Sequence, residues 1–503
     1  MTAAALPLSP RSARRLAVLL MGGALLSKLL GLAREVLVAR AIGASMIADS
    51  FRGGLTAVLL PLAFIQNESV PAILIPMHRE WQAKGEAPRR FAALTVALVL
   101  VATALFVAVE AMAPVWVGLL LGGFSAEAQA LTLSFTRIMA SAMPASVLLV
   151  CLSTAEIALG RSRVTSTRAI LVNLAVIAGV LLLLVTGQPA ALAWSFAVAF
   201  NLVAGWALWL MLRDGALDLS GLRAGAVVQA GRAFLHRLRP LVVQPIAEHA
   251  QVWIERLLAS GLAVGTLASL DYARTLSDCA VLLVAQPIGL AVLSAGPSLD
   301  AKAQMNALTR PVLAIAVPGS VFIVLFAPEI VEVVFHRGAF DAAAGAATTQ
   351  VLQGIAAGLW AMPLGWILLR MLNSAGRNMR AAMIMAAAYA ANALASVILV
   401  RWFGGLGLGL GEAVRGIVLL GGVALALECG AQLLRLLLTA APVGAVLLAI
   451  EMFVRAHVDG SLPRLFLGGT ACAAAMLLLA GLLIPRGREI AQAWLKSPLQ
   501  RVR

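Results

Sequence analysis

Long apolar runs follow one another along the 503-residue chain, separated by short polar or basic connections. A helix needs about 20 predominantly apolar residues to cross a bilayer. The pattern therefore predicts an all-α polytopic membrane protein with about fourteen transmembrane helices. We expect them near residues 16–42, 46–76, 91–121, 128–159, 164–186, 190–212, 240–261, 265–298, 310–334, 343–374, 379–402, 406–427, 436–455 and 464–485.

The basic residues separate the two sides of this map. If the connections alternate from inside to outside, 25 of the 38 Lys and Arg residues lie inside, 4 lie outside and 9 lie within the spans. Positive residues concentrate on the cytoplasmic side of membrane proteins. The split predicts an even number of helices with both termini in the cytoplasm, and it gives the net charge of +15 an explanation other than nucleic-acid binding.

A short motif occurs twice, and it divides the chain. A glycine is followed six positions later by an aspartate and three positions after that by an arginine, in Gly43–Asp49–Arg52 and Gly265–Asp271–Arg274. Parallel repeats are typical of transporters that bind cargo at the repeat interface. We expect an N-terminal lobe (1–212), a basic cytoplasmic linker (213–239), a C-terminal lobe (240–430) and two further helices with a basic tail (431–503), with the two six-helix lobes around a central cavity.

Charged residues inside the spans point to the cargo, and they are densest in residues 27–52. Each charge at the bilayer centre costs about 2.5–3.5 kcal/mol on insertion scales, so such residues usually pair or line a wet cavity. Surplus guanidinium groups suit phosphate or pyrophosphate, because arginine presents a planar fork of donors to anionic oxygens. The candidate substrate-binding residues are Lys28, Arg34, Asp49, Arg52 and Arg274.

Spacing along the helices sorts these charges. Lys28 and Glu35 are seven residues apart on one helix face, which predicts a structural pair and leaves Arg34 for cargo. Arg40 is expected at the membrane interface, where its long side chain can reach water. In both copies of the repeat the aspartate and arginine are three residues apart and can pair along the helix. That structural role for Arg52 and Arg274 remains open beside cargo binding. Glu412 and Arg415, like Glu255 and Arg256, are expected to bridge helices.

A cation site is a further candidate. Glu248 is a carboxylate in the seventh span, and Asn392 and Ser396 lie one helical turn apart in the eleventh. Such oxygens can hold Na⁺ or a proton, and a satisfied hydrogen bond between helices is the alternative. No cofactor or metal is predicted, and coupling to Na⁺, to H⁺ or to the membrane potential stays open. The four cysteines lie in apolar runs and suit core packing.

Several segments resemble the lipid II flippase (MurJ/MviN) family of the multidrug/oligosaccharidyl-lipid/polysaccharide exporter superfamily. They are SKLLGLAREVLVARAIGASMIADSF at 27–51, DYARTLSD at 271–278, VFHRGAFDAAA at 334–344 and NSAGRNMRAA at 373–382. Asn173 also matches the family pattern. The resemblance implies fourteen helices, two six-helix lobes, inside termini, and transport of an undecaprenyl-pyrophosphate-linked peptidoglycan precursor across the bacterial inner membrane.

The family's functional positions carry over only in part. Arg34 and Arg274 match its essential arginines in the first and eighth helices, Lys28 stands where the family usually has arginine, and Asp49 matches the acid that begins the second helix. The family's arginine pair in that helix aligns with Leu62 and Ala63. Its Glu-Gly-Ala-Phe-Ser segment is replaced by residues 66–70, which read Gln-Asn-Glu-Ser-Val.

Three functions remain in competition, and none of them is enzymatic. The first is a flippase for a lipid-linked glycan, lipid II above others, working by alternating access on an anionic lipid-linked substrate within membrane lipids. The second is a flippase for an exopolysaccharide repeat unit. The third is a cation-coupled drug exporter. The surplus of arginine and the small number of tyrosines, only two in the chain, disfavour this function. Cell-envelope synthesis proteins are the expected protein partners, and nucleic acid is not expected.

Overall fold

The structure, a computed structural model, describes residues 10–66, 69–239, 242–294 and 301–484, and the side chains of residues 26–66, 70–168, 170–239, 242–281 and 309–484. Within these ranges the regular structure is entirely helical, and no strand occurs. The chain divides into two compact units, Met1–Val264 and Gly265–Arg503. The predicted all-α membrane fold is confirmed.

The first unit contains helices α1 to α11, and a 3₁₀ turn at Leu60–Leu62 interrupts its second predicted span. These helices are α1 (Pro10–Ile42), α2 (Met46–Leu59), α3 (Ala63–Gln66), α4 (Ser69–Ala83), α5 (Ala87–Leu120), α6 (Ala126–Ala140), α7 (Met143–Ala158), α8 (Arg163–Thr186), α9 (Ala190–Arg213), α10 (Ala224–Leu238) and α11 (Val243–Ser260).

The second unit contains helices α12 to α19, and its last two helices pack on α13. These helices are α12 (Thr266–Ser294), α13 (Ala301–Phe335), α14 (Ala342–Gly358), α15 (Ala361–Ser374), α16 (Asn378–Phe403), α17 (Gly405–Ala426), α18 (Gly430–His457) and α19 (Ser461–Leu483).

Where the structure describes them, the fourteen apolar runs each coincide with one helix or with consecutive helices. Within the described residues, nine helices are long and apolar enough to cross a membrane, or eleven spans result if each of two bent pairs forms one. The bends are 47° between α6 and α7 and 42° between α14 and α15. The other three predicted spans coincide with α1, α11 and α12, and parts of α1 and α12 lie outside the residues whose side chains the structure describes. Helix α11 carries Glu248, Glu255 and Arg256 among its 18 residues and is less apolar for that reason.

Proline residues mark several of the bends. Pro61 lies in the 3₁₀ turn that separates α2 from α3, and Pro144 and Pro363 lie in the first turns of α7 and α15. Proline lacks the amide hydrogen that continues a helix, yet it fits the first turn, where that hydrogen would have no partner. Each of these three prolines stands where a span bends or is interrupted.

Helix α11 belongs to the first unit by its contacts, although the sequence analysis assigned it to the C-terminal lobe. It packs on α3 and α5. The Gly123 amide donates to the Ser260 hydroxyl at 3.2 Å, and the Trp253 indole donates to the Leu119 carbonyl at 3.1 Å. A boundary after residue 264 therefore describes the packing, and the predicted lobe boundaries stay a prediction. The linker contains α10, and α10 packs on α4 and α5.

The two copies of the repeat have similar backbones. Gly43 and Gly265 both have left-handed φ angles, 60° and 89°, which glycine adopts without strain. Gly43 follows the end of α1, and the Ser45 hydroxyl then caps α2 by accepting from the Ala48 amide. Gly265 immediately precedes α12. In each copy the glycine allows the reversal that starts a helix with an aspartate and an arginine near its beginning.

Candidate functional site

In the first unit, three helices bring charged side chains together. Both carboxylate oxygens of Glu35 on α1 are bound: Oε1 accepts from Arg34 Nη2 at 2.6 Å, and Oε2 accepts from Arg52 Nη2 at 2.7 Å. Arg34 Nη1 donates to Asn173 Oδ1 on α8 at 3.0 Å. We call Glu35, Arg34, Arg52 and Asn173 the first cluster.

The packing of α1 against α8 explains this arrangement. The Asn173 amide group also donates to the Ser27 carbonyl on α1 at 3.3 Å, so the amide lies between two turns of α1. Its oxygen is thereby directed at Arg34. An Arg34 side chain held by both Asn173 and Glu35 has few rotamers left, and little further ordering is required before it binds an anion.

Exposure distinguishes the two arginines of the first cluster. The Arg52 and Glu35 side chains are each 7% exposed, whereas the Arg34 side chain is 30% exposed. Arg34 is therefore the guanidinium of this cluster that reaches accessible space. The prediction that Arg34 would stay free of Glu35 is wrong, because the two adjacent residues form an ion pair. Lys28 is exposed on α1, and Asp49 is buried in the first turn of α2.

The second unit contains a similar group of charges. Glu412 on α17 accepts from Arg274 Nη2 of α12 through Oε1 and from Arg415 Nη2 through Oε2, both at 2.5 Å. The Arg415 guanidinium lies over the Tyr389 ring of α16, 5.4 Å from its centre. We call Glu412, Arg274, Arg415 and Tyr389 the second cluster. Glu412 does bridge helices, as predicted.

Glycine residues bring the helices around Glu412 into close contact. A Cβ on Gly358 of α14 would lie 2.3 Å from the Ala413 Cα, and one on Gly409 would lie 2.3 Å from the Val351 carbonyl oxygen. Helices in membranes associate where small residues allow their backbones to approach. The glycine-rich start of α17 thus allows Glu412 to lie beside α14. Glu412, Arg274 and Arg415 line a cavity of about 130 Å³ there.

Both clusters have the same charge balance. Each joins two guanidinium groups to one nearly buried carboxylate, so these three groups carry one net positive charge in either unit. A phosphate group would be bound in the same way, with two of its oxygens accepting hydrogen bonds from the two guanidinium groups. The arrangement is suited to binding an anion, with a carboxylate in the position that the anion would take.

The residues of the predicted cation site lie on two helices of different units. Glu248 is half-buried on α11, whereas Asn392 and Ser396 are fully buried on α16. The Ser396 hydroxyl donates to Asn392 Oδ1 at 3.1 Å within α16, so this bond differs from the hydrogen bond between helices that was the alternative. The described residues contain no group of three or more His, Cys, Asp or Glu residues that could hold a metal ion.

The Asn392–Ser396 pair packs closely against α17. A Cβ on Gly411 would lie 2.1 Å from the Ser396 hydroxyl oxygen, so the backbone of α17 fills the space beside the pair. The adjoining carboxylate, Glu412, already binds two guanidinium groups, and their combined charge would repel a cation. Cation binding at Glu248, Asn392 and Ser396 stays a prediction.

Other charges inside the predicted spans have structural surroundings. Arg40 is exposed at the end of α1, as an interfacial residue should be. Glu156, at the end of α7, accepts from Arg163 Nε at 2.8 Å and from the Val164 amide at 2.6 Å, and it thereby fixes the turn into α8. Glu255 accepts from the Gln251 side-chain amide at 2.7 Å.

Leu62 and Ala63, which align with the family's arginine pair, are buried apolar residues. This unit therefore has no guanidinium at those two positions, and Arg52 is the arginine of α2 that reaches Glu35. Within the altered segment 66–70, Gln66 donates to the Ser146 hydroxyl at 2.6 Å. Asn67 and Glu68 lie outside the described residues.

Sequence reasoning missed the double role of Glu35 and Glu412 as carboxylates that each bind two arginines. For Glu412 a signal was available, since it stands in the glycine-rich run GGLGLGLGEAVRG with an arginine three positions later. For Glu35, the partner Arg52 lies on the next helix, 17 residues away. Nothing in the spacing shows which faces of two apolar helices meet.

Comparison with known proteins assigns the fold and the family. A family model described as "Lipid II flippase MurJ" matches residues 38–465, most of the chain. None of the curated proteins matches the chain significantly in sequence.

Solved structures share the fold. One described as "Lipid II flippase MurJ, inward closed conformation" is similar with a TM-score of 0.80 at 15% identity, over 93% of this chain and all of that one. An outward-facing MATE family transporter of the MOP superfamily gives a TM-score of 0.55 at 14% identity, over 84% of this chain and 96% of that one. A Vibrio cholerae MATE transporter gives 0.50 at 13% identity, over 83% and 96%.

Proposed function

The chain belongs to the lipid II flippase MurJ family, and on that basis we propose that Arg34 and Arg274 bind the pyrophosphate of its cargo. The protein is a multi-pass transporter whose substrate is a lipid-linked glycan, lipid II, carried through the membrane by alternating access. The observation that carries the site assignment is the composition of the two clusters. Each holds two arginines against one carboxylate, and in each an arginine is partly exposed.

The direction of transport follows from the proposed topology. We place both termini in the cytoplasm and the protein in the bacterial inner membrane, because the basic residues concentrate in alternate connections. Lipid II would then be taken up from the cytoplasmic leaflet and released to the periplasmic leaflet. Protein partners would be those that make the precursor on one side and polymerise it on the other.

The clusters suit binding rather than bond cleavage. Guanidinium groups that a carboxylate holds in place can orient an anion, and we assign no catalytic residue. The membrane potential is the coupling source that fits these residues best, since it is worth about 2.3 kcal/mol per charge per 100 mV. Each cluster carries one net positive charge and suits an anionic cargo, whose own charge would move through the potential with it.

A second cargo deserves a test because Leu62 and Ala63 replace the family's arginine pair. Fewer guanidinium groups in α2 and α3 would suit a cargo with fewer anionic groups, such as a lipid-linked exopolysaccharide unit. This difference is confined to one segment, while both clusters can still bind a pyrophosphate. We therefore place lipid II first.

Rescue of bacteria depleted of their own lipid II flippase tests the cargo. Cells expressing this protein should grow and keep their shape, and cells expressing Arg34→Ala or Arg274→Ala at the same membrane level should lyse. Arg40→Ala, which removes an exposed arginine of the same helix as Arg34, is the matched control and should rescue. Lysis with the well-expressed wild-type protein would contradict lipid II as cargo and favour the exopolysaccharide unit.

A further inference from the structure

A small cavity in the second unit lies between α12, α14 and α17. Its volume is about 130 Å³, and its polar lining comes from five side chains of α12 and α17. These are Arg274, Ser277, Asp278, Glu412 and Arg415. A water molecule takes up about 30 Å³ of liquid, so the cavity has room for an anionic group of a few heavy atoms.

Glu412 holds the two arginines of this cavity in a fork. Each of its oxygens accepts one charge-assisted hydrogen bond, from Arg274 on one side and from Arg415 on the other. The Glu412 side chain is 8% exposed, whereas the Arg274 and Arg415 side chains are 25% and 22% exposed. Both guanidinium groups therefore retain access to the cavity while their other donors bind the carboxylate.

Arg415 has a donor that Glu412 does not use. Its Nε is buried, and among the described residues it has no hydrogen-bond partner. Its guanidinium also lies over the buried ring of Tyr389, at 5.4 Å from the centre. A cation–π contact of this kind does not depend on the carboxylate, so Arg415 would keep its position if Glu412 withdrew.

We propose that this cavity is a phosphate-group subsite in which Arg274 and Arg415 are the ligands and Glu412 is an internal stand-in for the phosphate. The inference rests on the proposed function, and it adds Arg415 to the binding residues and a competing role for Glu412. In the empty site the carboxylate balances two guanidinium groups that would otherwise repel each other. Arriving cargo exchanges a phosphate group for that carboxylate.

The exchange would also make the site selective. A weakly charged anion gains too little from the two arginines to displace a carboxylate that is already bound to both. A pyrophosphate brings more charge and more acceptor oxygens to the two exposed guanidinium faces.

The direction in which Glu412→Gln changes the affinity for a pyrophosphate tests this proposal. Glu412→Gln removes the competing charge but keeps the shape of the side chain. We expect purified Glu412→Gln protein to bind farnesyl pyrophosphate about tenfold more tightly than the wild type, which corresponds to about 1.4 kcal/mol. Adding Arg415→Ala to Glu412→Gln should abolish this gain. Glu451→Gln is the matched control, since Glu451 is a nearly buried carboxylate that pairs with Arg455 elsewhere in the unit, and it should leave the affinity unchanged.

If Glu412 were only a structural bridge between helices, Glu412→Gln would not tighten the binding of farnesyl pyrophosphate. If Glu412→Gln leaves the affinity unchanged or weakens it while Arg274→Ala still abolishes binding, the stand-in role is wrong and the proposed function survives. If neither Arg34→Ala nor Arg274→Ala weakens binding, the site of the proposed function fails instead. If Glu412→Gln does not fold, the Arg415→Lys variant tests the proposal instead. We expect it to bind farnesyl pyrophosphate about tenfold more weakly than the wild type. Lysine keeps the positive charge but lacks the planar pair of donors that arginine presents to phosphate oxygens. Unchanged affinity in Arg415→Lys would overturn the proposal.

Discussion

Arg52 Nη2 on α2 lies 2.7 Å from Glu35 Oε2 on α1, and both side chains are 7% exposed. The pair links the first two helices at the depth where Arg34 is held. Removing one partner of a buried ion pair leaves the other charge without compensation and typically costs about 3–5 kcal/mol. The first cluster therefore contributes to folding as well as to binding.

Replacing Arg52 with Gln should lower the free energy of unfolding by about 3 kcal/mol, the low end of that range, because Glu35 keeps its contact with Arg34. Denaturant unfolding of the purified protein in detergent measures the change. Arg40→Gln, on the exposed end of α1, should stay within about 0.5 kcal/mol of the wild type. A loss below about 1 kcal/mol for Arg52→Gln would show that the Glu35–Arg52 pair is not buried as described.

Substitution of Gly358 tests the close approach of α14 and α17. Gly358→Ala places a Cβ where only 2.3 Å separates it from the Ala413 Cα, so the helices must move apart, at a cost of about 1–3 kcal/mol. Gly421→Ala is the control on α17, since a Cβ there meets nothing within 4 Å and helix propensity improves by up to about 1 kcal/mol. Thermal unfolding should show opposite shifts for the two variants, and shifts of the same sign would contradict the packing.

The turn before α10 offers a test of its electrostatics. Hydrogen bonds from the Ser220 hydroxyl, from Arg89 and from the Ser220 amide lower the pKa of Asp218 from 3.8 to about 2. Because the pKa is lowered on folding, the stability from these contacts is complete above pH 3.8 and is lost as the pH falls through about 2.

Carboxyl NMR of the protein labelled at aspartate measures this titration, with Asp218→Asn to assign the signal. We expect a midpoint near 2 in the wild type and a higher midpoint in Ser220→Ala, because the Ser220 hydroxyl makes the largest contribution. A wild-type midpoint close to 3.8, the ordinary value for an aspartate, would mean that the turn does not form in solution.

The apolar pattern was enough to predict the helices and their order. Each run long enough to cross a bilayer is helical in the structure, because the membrane requires every backbone group to be satisfied within its own segment. The repeat was equally visible, since Gly43 and Gly265 serve the same backbone purpose and only glycine takes that conformation readily.

The partners of the charged residues could not be predicted in the same way. Arg274 and Glu412 are 138 residues apart, and Arg34 and Asn173 are 139 apart. Helical spacing identifies neighbours three or four residues away, but contacts between helices depend on which faces pack. When a helix is apolar on nearly every side, only small residues such as Gly358 and Gly409 indicate in the sequence which face packs against another helix.

The central claim is that Arg34 and Arg274 bind the pyrophosphate of a lipid-linked cargo during transport. The most direct measurement is the rate at which a fluorescent lipid II analogue crosses the bilayer of vesicles containing purified protein. Arg34→Ala and Arg274→Ala should each slow it at least about tenfold, since a hydrogen bond to a charged group is worth about 1.5–3 kcal/mol, and Arg40→Ala should match the wild type. Wild-type rates in folded Arg34→Ala and Arg274→Ala proteins would contradict the claim.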